Sequence, residues 1–209
     1  MAKRFPSLPV SLAALIRSTL FFYLAILYGD LVVKICTLGE LTVRGCLMTG
    51  LFSLSWAFVL GLLCTAVPRR AGRVLFPVTT AVLSVWMGAQ VVYYDLFRTY
   101  LSLFSVTKAG MVVGSFLNQA VMGIADNWFP ILFLLLPVAS ALDWRDRLLS
   151  GREQATVKGK LGWLGGAGLT HCVALAIVLL SNSGTMSLRY LYESSAAPEL
   201  MVANFGMLT

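Results

Sequence analysis

Hydrophobic positions along this chain fall in long blocks rather than in short alternations. Five stretches are almost wholly apolar: residues 11–33, 45–67, 74–94, 127–142 and 161–180. The second and third contain no Asp, Glu, Lys or Arg. A helix needs about 20 residues to cross about 30 Å of hydrocarbon, and four of the five stretches reach that length. The fourth is shorter and carries Pro130 and Pro137. Pro130 falls near a helix start, where its missing N–H is not needed. Pro137 is interior and predicts a kink. The first block follows the basic start Met1-Ala2-Lys3-Arg4, as a signal peptide would. It is longer than an ordinary signal core, lacks a small-x-small cleavage site before Asp30 and is followed by further spans, so it reads as an uncleaved anchor.

A sixth segment has a different period. Val113, Phe116, Leu117, Ala120, Val121 and Ile124 recur at helical spacing on one face, with Ser115, Asn118 and Gln119 on or beside the other. A full span here would put the following loops on the wrong sides of the membrane. The pattern predicts an amphipathic helix at about 107–124 lying in the outer interface, with a re-entrant or tucked segment as the alternative.

Composition agrees with the block pattern. Hydrophobic residues make up 58% of the 209 and charged residues 12%, against roughly 45–50% and 25% in soluble proteins. So much apolar surface needs lipid as part of its solvent. The net charge of +7 then bears on orientation, not on nucleic acid, for which no partner role is expected. Eleven of the sixteen basic residues fall before span one or near its start, or between spans two and three or four and five. Five (Lys34, Arg44, Arg98, Lys108, Arg189) fall on the other side. The positive-inside rule then places the N-terminus in the cytoplasm and the C-terminus outside. The expected fold is an all-α, five-helix membrane bundle over 1–188 with one additional interfacial helix, followed by an extracellular linker over 189–209.

Candidate chemistry is sparse. Cys36, Cys46, Cys64 and Cys172 show no metal-ligand spacing and accompany a single histidine, so no metal site is expected. A disulfide between Cys36 and Cys46 is conceivable, although free thiols are the expectation. His171 sits within span five, and a neutral imidazole donating to another helix's carbonyl is the plainer reading of it. Gly162, Gly165, Gly166 and Gly168 suggest a close helix–helix approach rather than a dinucleotide loop. Asp30 is expected either to reach the interface or to pair with Lys34 four residues on. At the outer end of span three, Asp95 and Arg98 share a face among tyrosines. The group Tyr94, Asp95, Arg98, Phe116 and Asn118 is the candidate surface for a lipid headgroup or a docking domain, with an aromatic belt as the simpler alternative. No catalytic residue is expected in this chain.

Two stretches carry a resemblance. Tyr93-Tyr94-Asp95-Leu96-Phe97-Arg98 with Tyr100-Leu101-Ser102, and Asn204-Phe205-Gly206-Met207-Leu208-Thr209, are similar to short motifs after spans three and five of the lipoteichoic acid synthase family. These are sulfatase-fold phosphoglycerol transferases of Gram-positive bacteria. The resemblance implies the membrane region of such an enzyme in a bacterial plasma membrane. A catalytic domain outside would use manganese and a threonine nucleophile to move glycerol phosphate from phosphatidylglycerol to an envelope polymer. Thr209 matches the linker and is not that nucleophile. The implied partners are the bilayer, phosphatidylglycerol and the protein's own extracellular domain. The anchor of a phosphoethanolamine transferase or of another enzyme of the alkaline phosphatase superfamily, and a small transporter, remain alternatives.

Overall fold

The structure, a computed structural model, describes residues 10–39, 41–101, 113–150, 157–181, 187–193 and 198–208, and the side chains of 10, 11 and 113–117 are outside that description. Helices α1 (Val10–Thr37), α2 (Val43–Ala66) and α3 (Arg69–Phe97) form the centre. They are followed by α4 (Val113–Asp126), α5 (Trp128–Leu134), α6 (Leu136–Leu148) and α7 (Val157–Leu180). Two short helices, α8 (Leu188–Glu193) and α9 (Pro198–Phe205), come last. Five helical segments are long and apolar enough to cross a membrane: α1, α2, α3, α5 with α6, and α7.

Helix α2 packs against α1 on one side and α7 on another, while α3 and the α5–α6 span flank α1. The buried positions of α1 include Leu15, Thr19, Phe22, Ile26, Asp30 and Val33, one helical stripe facing inward. The opposite face exposes Leu20, Leu24, Leu31 and Ile35. Val78, Val82 and Val85 of α3 and Leu161 and Leu169 of α7 are likewise exposed. An outer surface this apolar suits hydrocarbon rather than water. Hydroxyls and an indole tie the helices together inside. Trp163 Nε1 donates to Thr19 Oγ1 at 3.0 Å, and the Ser55 and Thr170 hydroxyls meet at 2.9 Å.

The fourth span is longer than its apolar block. It runs from Trp128 to Leu148, because the backbone helix continues through Asp143, Arg145, Asp146 and Arg147 after hydropathy has dropped. Pro137 does not kink a continuous helix: it stands at the start of α6, immediately after the break at Leu135. Having no N–H, Pro137 cannot serve the carbonyl four residues back, which belongs to Phe133. Tyr28 of α1 does so instead, donating its hydroxyl to Phe133 O at 3.1 Å.

Two expectations fail. The glycines of α7 are not a close-approach surface: a Cβ on Gly162, Gly165 or Gly168 would meet nothing within 4 Å, and on Gly166 only the Phe58 ring in ordinary contact. The reason is the register of α7, which turns Ala167, Ala174 and Val178 inward instead. His171 packs edge-on against Phe52, ring centres 5.5 Å apart, and among the described residues no carbonyl accepts from it.

Contacts define two ends of the bundle. At one, Arg17 donates to Ser150 O at 2.6 Å and Arg73 pairs with Asp146 at 2.6 Å. At the other lie the α1–α2 turn, the end of α3 and residues 198–208.

Candidate functional site

The last turns of α1 place Asp30, Val33, Lys34 and Thr37 at i, i+3, i+4 and i+7, one face of the helix. That face turns inward. Asp30 Oδ2 and Lys34 Nζ are 2.8 Å apart, with both side chains 4% exposed. A buried ion pair is tolerable only when its remaining donors and acceptors are also met, and here further partners meet both members. Lys34 Nζ donates to Thr49 Oγ1 of α2 at 2.7 Å. Asp30 Oδ1 accepts from the backbone N–H of Met207, 2.8 Å away and 177 residues along the chain.

That last bond is one of several holding residues 198–208 against the bundle. Trp56 Nε1 donates to Leu208 O at 2.6 Å. Phe205 is buried, edge-on to both Phe52 and Tyr192. Helix α9 crosses α2 so closely that a Cβ on Gly45 would collide with the Ala203 carbonyl. The turn into the site is made by Gly206 at φ +89, a backbone region open mainly to glycine. A Cβ there would stand 2.9 Å from Thr49 Cγ2 and 3.0 Å from Asp30 Oδ1. The stretch expected as a linker is therefore folded, with α8 and α9 seated on the bundle.

The chain leaving α3 reaches the same end of α1. Arg98 takes the left-handed conformation (φ 54) and closes the helix with its N–H on Tyr94 O at 2.8 Å. The reversal lets Gln90 clamp Leu101, its side-chain amide donating to Leu101 O at 3.0 Å and accepting from Leu101 N at 2.9 Å. Tyr100 is thereby buried against Tyr94 and hydrogen-bonded to Thr37 Oγ1. The Thr37 hydroxyl already donates to Val33 O at 2.8 Å. With its one proton used, Thr37 accepts and Tyr100 donates. Burial pushes the Tyr100 phenol up to about 12, and neighbouring Tyr94, Asp30 and Glu199 add to the shift.

Of the residues expected on a docking surface, Tyr94 is half-buried beneath this arrangement. Asp95 and Arg98 form an exposed pair at 3.7 Å, and Asn127 donates to Asp95 Oδ2 at 3.1 Å. Asn118 is exposed on α4, and the Phe116 side chain lies outside the described residues. Helix α4 packs on the end of α3 through Gly123, next to Val92 and Leu96, and exposes Val121, Met122 and Ile124. Cys36 and Cys46 are free thiols.

Comparison with known protein families, with curated proteins and with solved structures finds no match. Among the described residues no group of three or more His, Cys, Asp or Glu could hold a metal ion. The site is a polar clasp. Gln90, Thr49, Trp56 and Gly206 were not singled out from sequence as parts of it. The one available signal was Gln90, the lone side-chain amide in an uncharged span.

Proposed function

We propose that this chain is the membrane-anchoring module of a lipoteichoic acid synthase-like transferase, which moves glycerol phosphate from phosphatidylglycerol to a cell-envelope polymer. In this reading the module lies in a bacterial plasma membrane, N-terminus cytoplasmic and C-terminus outside. The chemistry belongs to a manganese-dependent, sulfatase-fold domain beyond residue 209.

One observation carries the reading. The described parts of the two stretches that bear the family resemblance, 93–101 and 204–208, are far apart in sequence yet converge on the same end of α1. Tyr100 reaches Thr37 and Met207 reaches Asp30. A chain clasped in this way leaves the bundle at a fixed place and height. Whatever follows is then held beside the lipid headgroups, where its encounter with a lipid substrate is set by geometry rather than by bulk concentration. Helix α4 would lie in the outer interface with Val121, Met122 and Ile124 toward lipid. Tyr94, Asp95, Arg98, Phe116 and Asn118 would form the floor on which the outer domain rests.

The test begins with the intact mass of the natural gene product. A mass well above 22.7 kDa, with a metal-binding domain following, permits the second step: glycerol phosphate transfer from phosphatidylglycerol in native membranes. Asp30→Asn, which leaves Lys34 buried without its counter-charge, should lower transfer by about tenfold or more at equal protein level, since breaking such a pair costs about 3–5 kcal/mol. A natural product ending at 209 residues, or unchanged transfer by the variant, would sink the proposal.

A further inference from the structure

The wall of the bundle between α1, α2 and α7 carries a groove of about 610 Å³ that the clasp does not use. Leu47, Leu51, Leu54 and Ile177 line its length, and Arg44 and Ser181 stand at one mouth, at the ends of α2 and α7. Its volume falls in the range of about 300–1,000 Å³ typical of small-molecule sites. From Arg44 to Leu54 the groove follows α2 for about 15 Å at about 1.5 Å per residue. That is half of the roughly 30 Å hydrocarbon core, the depth of one leaflet.

Charge distinguishes the mouth of this groove. At the same end of the bundle Lys34 pairs with Asp30, Arg98 with Asp95 and Arg189 with Glu193. Arg44 is different: its guanidinium donates to the neutral Ser181 hydroxyl, and among the described residues no carboxylate pairs with it. It also stands in the first turn of α2, where the helix dipole already favours a negative group. A guanidinium fork matches the oxygens of a phosphate. Leu47 is 67% exposed, so the groove opens sideways toward lipid.

We infer that this groove binds an anionic glycerophospholipid from the leaflet at that end, one acyl chain along Leu47, Leu51 and Leu54 and the phosphate on Arg44. The inference does not depend on the transferase reading, because it concerns the bundle alone.

The experiment is native mass spectrometry of the full chain in neutral detergent, titrated with dioleoyl phosphatidylglycerol or dioleoyl phosphatidylcholine. Wild type should retain the anionic lipid roughly tenfold better, because the choline cation beside the phosphate repels Arg44 and the neutral glycerol headgroup does not. Arg44→Ala should erase that preference and Arg44→Lys should keep part of it. Leu47→Trp, which fills the groove from an exposed position, should weaken both lipids. Arg189→Gln, a control for surface charge, should behave as wild type. Equal retention by Arg44→Ala and wild type overturns the site, as does an equal loss in Arg189→Gln. An unaffected Leu47→Trp, or competition by free glycerol phosphate at the lipid's own concentration, removes the acyl-chain site.

Discussion

Gly206 concentrates the requirements of the clasp in one missing Cβ. The residue must turn the chain at φ +89 and pass between Thr49 and Asp30. An L-residue in the left-handed region costs about 1–2 kcal/mol, and the contacts at 2.9 and 3.0 Å add to that cost. Gly206→Ala should therefore speed amide hydrogen exchange in residues 198–208 by about tenfold or more, since about 1.4 kcal/mol is a factor of ten, while leaving exchange in α2 unchanged. Equal protection in both proteins would show that Gly206 does not govern docking. Tyr100 offers a pH readout of the same end. Its folded pKa of about 12 lies above the ordinary value of about 10, so the folded state holds the proton more tightly. The stabilisation is complete below about pH 10 and is lost as pH rises toward 12. The difference in phenolate absorbance between wild type and Tyr100→Phe should show one tyrosine titrating near pH 12. A difference curve centred at 10 would mean that Tyr100 is not buried. The Asp30–Lys34 pair was legible in sequence as an i, i+4 spacing. Its burial was not, because Thr49 and Met207 complete it from 15 and 177 residues away.

Elements were legible where hydropathy and backbone geometry agree. The first, third and fifth apolar blocks each lie within one long helix, and the second does but for Val67, since nothing in a bilayer satisfies the backbone of an isolated extended segment. The fourth block was undercounted at its charged end, where helical hydrogen bonding outlasts apolarity. The glycines of α7 misled because spacing alone does not say which face of a helix meets a neighbour. Pro137 was read as an interior kink; the helix is instead interrupted at Leu135, with Pro137 in the first turn of α6, and a further consequence lies on another element. The Phe133 carbonyl, which Pro137 has no N–H to serve, accepts from Tyr28 of α1, which pins the fourth span to the first. Tyr28→Phe should destabilise wild type by about 0.5–1.5 kcal/mol, the net worth of one hydrogen bond. In a Pro137→Ala background, where residue 137 regains an N–H for Phe133 O, the same change should cost close to nothing. A double-mutant cycle on thermal or denaturant unfolding in detergent reads that coupling. Additive effects would show that the tyrosine and the proline act independently.

At the scale of the whole molecule, the contacts fix which ends of the helices share a side. Arg17 with Ser150 and Arg73 with Asp146 gather the loops rich in basic residues at one end. Lys34 with Thr49, Tyr100 with Thr37, Arg44 with Ser181 and Met207 with Asp30 gather the others at the opposite end. This matches the alternation that the charge count requires. A sequence reading could reach it because the positive-inside bias is spread over many loops, whereas the clasp depends on a few exact partners. The bias predicts which end faces the cytoplasm, and the loops can test that prediction. In a chain with its four cysteines replaced by alanine, Leu41→Cys lies in the α1–α2 turn and Arg70→Cys in the first turn of α3, both at exposed positions. A membrane-impermeant maleimide added to intact cells should label Leu41→Cys and should reach Arg70→Cys only after permeabilisation. The reverse pattern would turn the module over. It would place the clasp, the Arg44 groove and the exit of the chain in the cytoplasm, and so remove the basis for an extracellular catalytic domain.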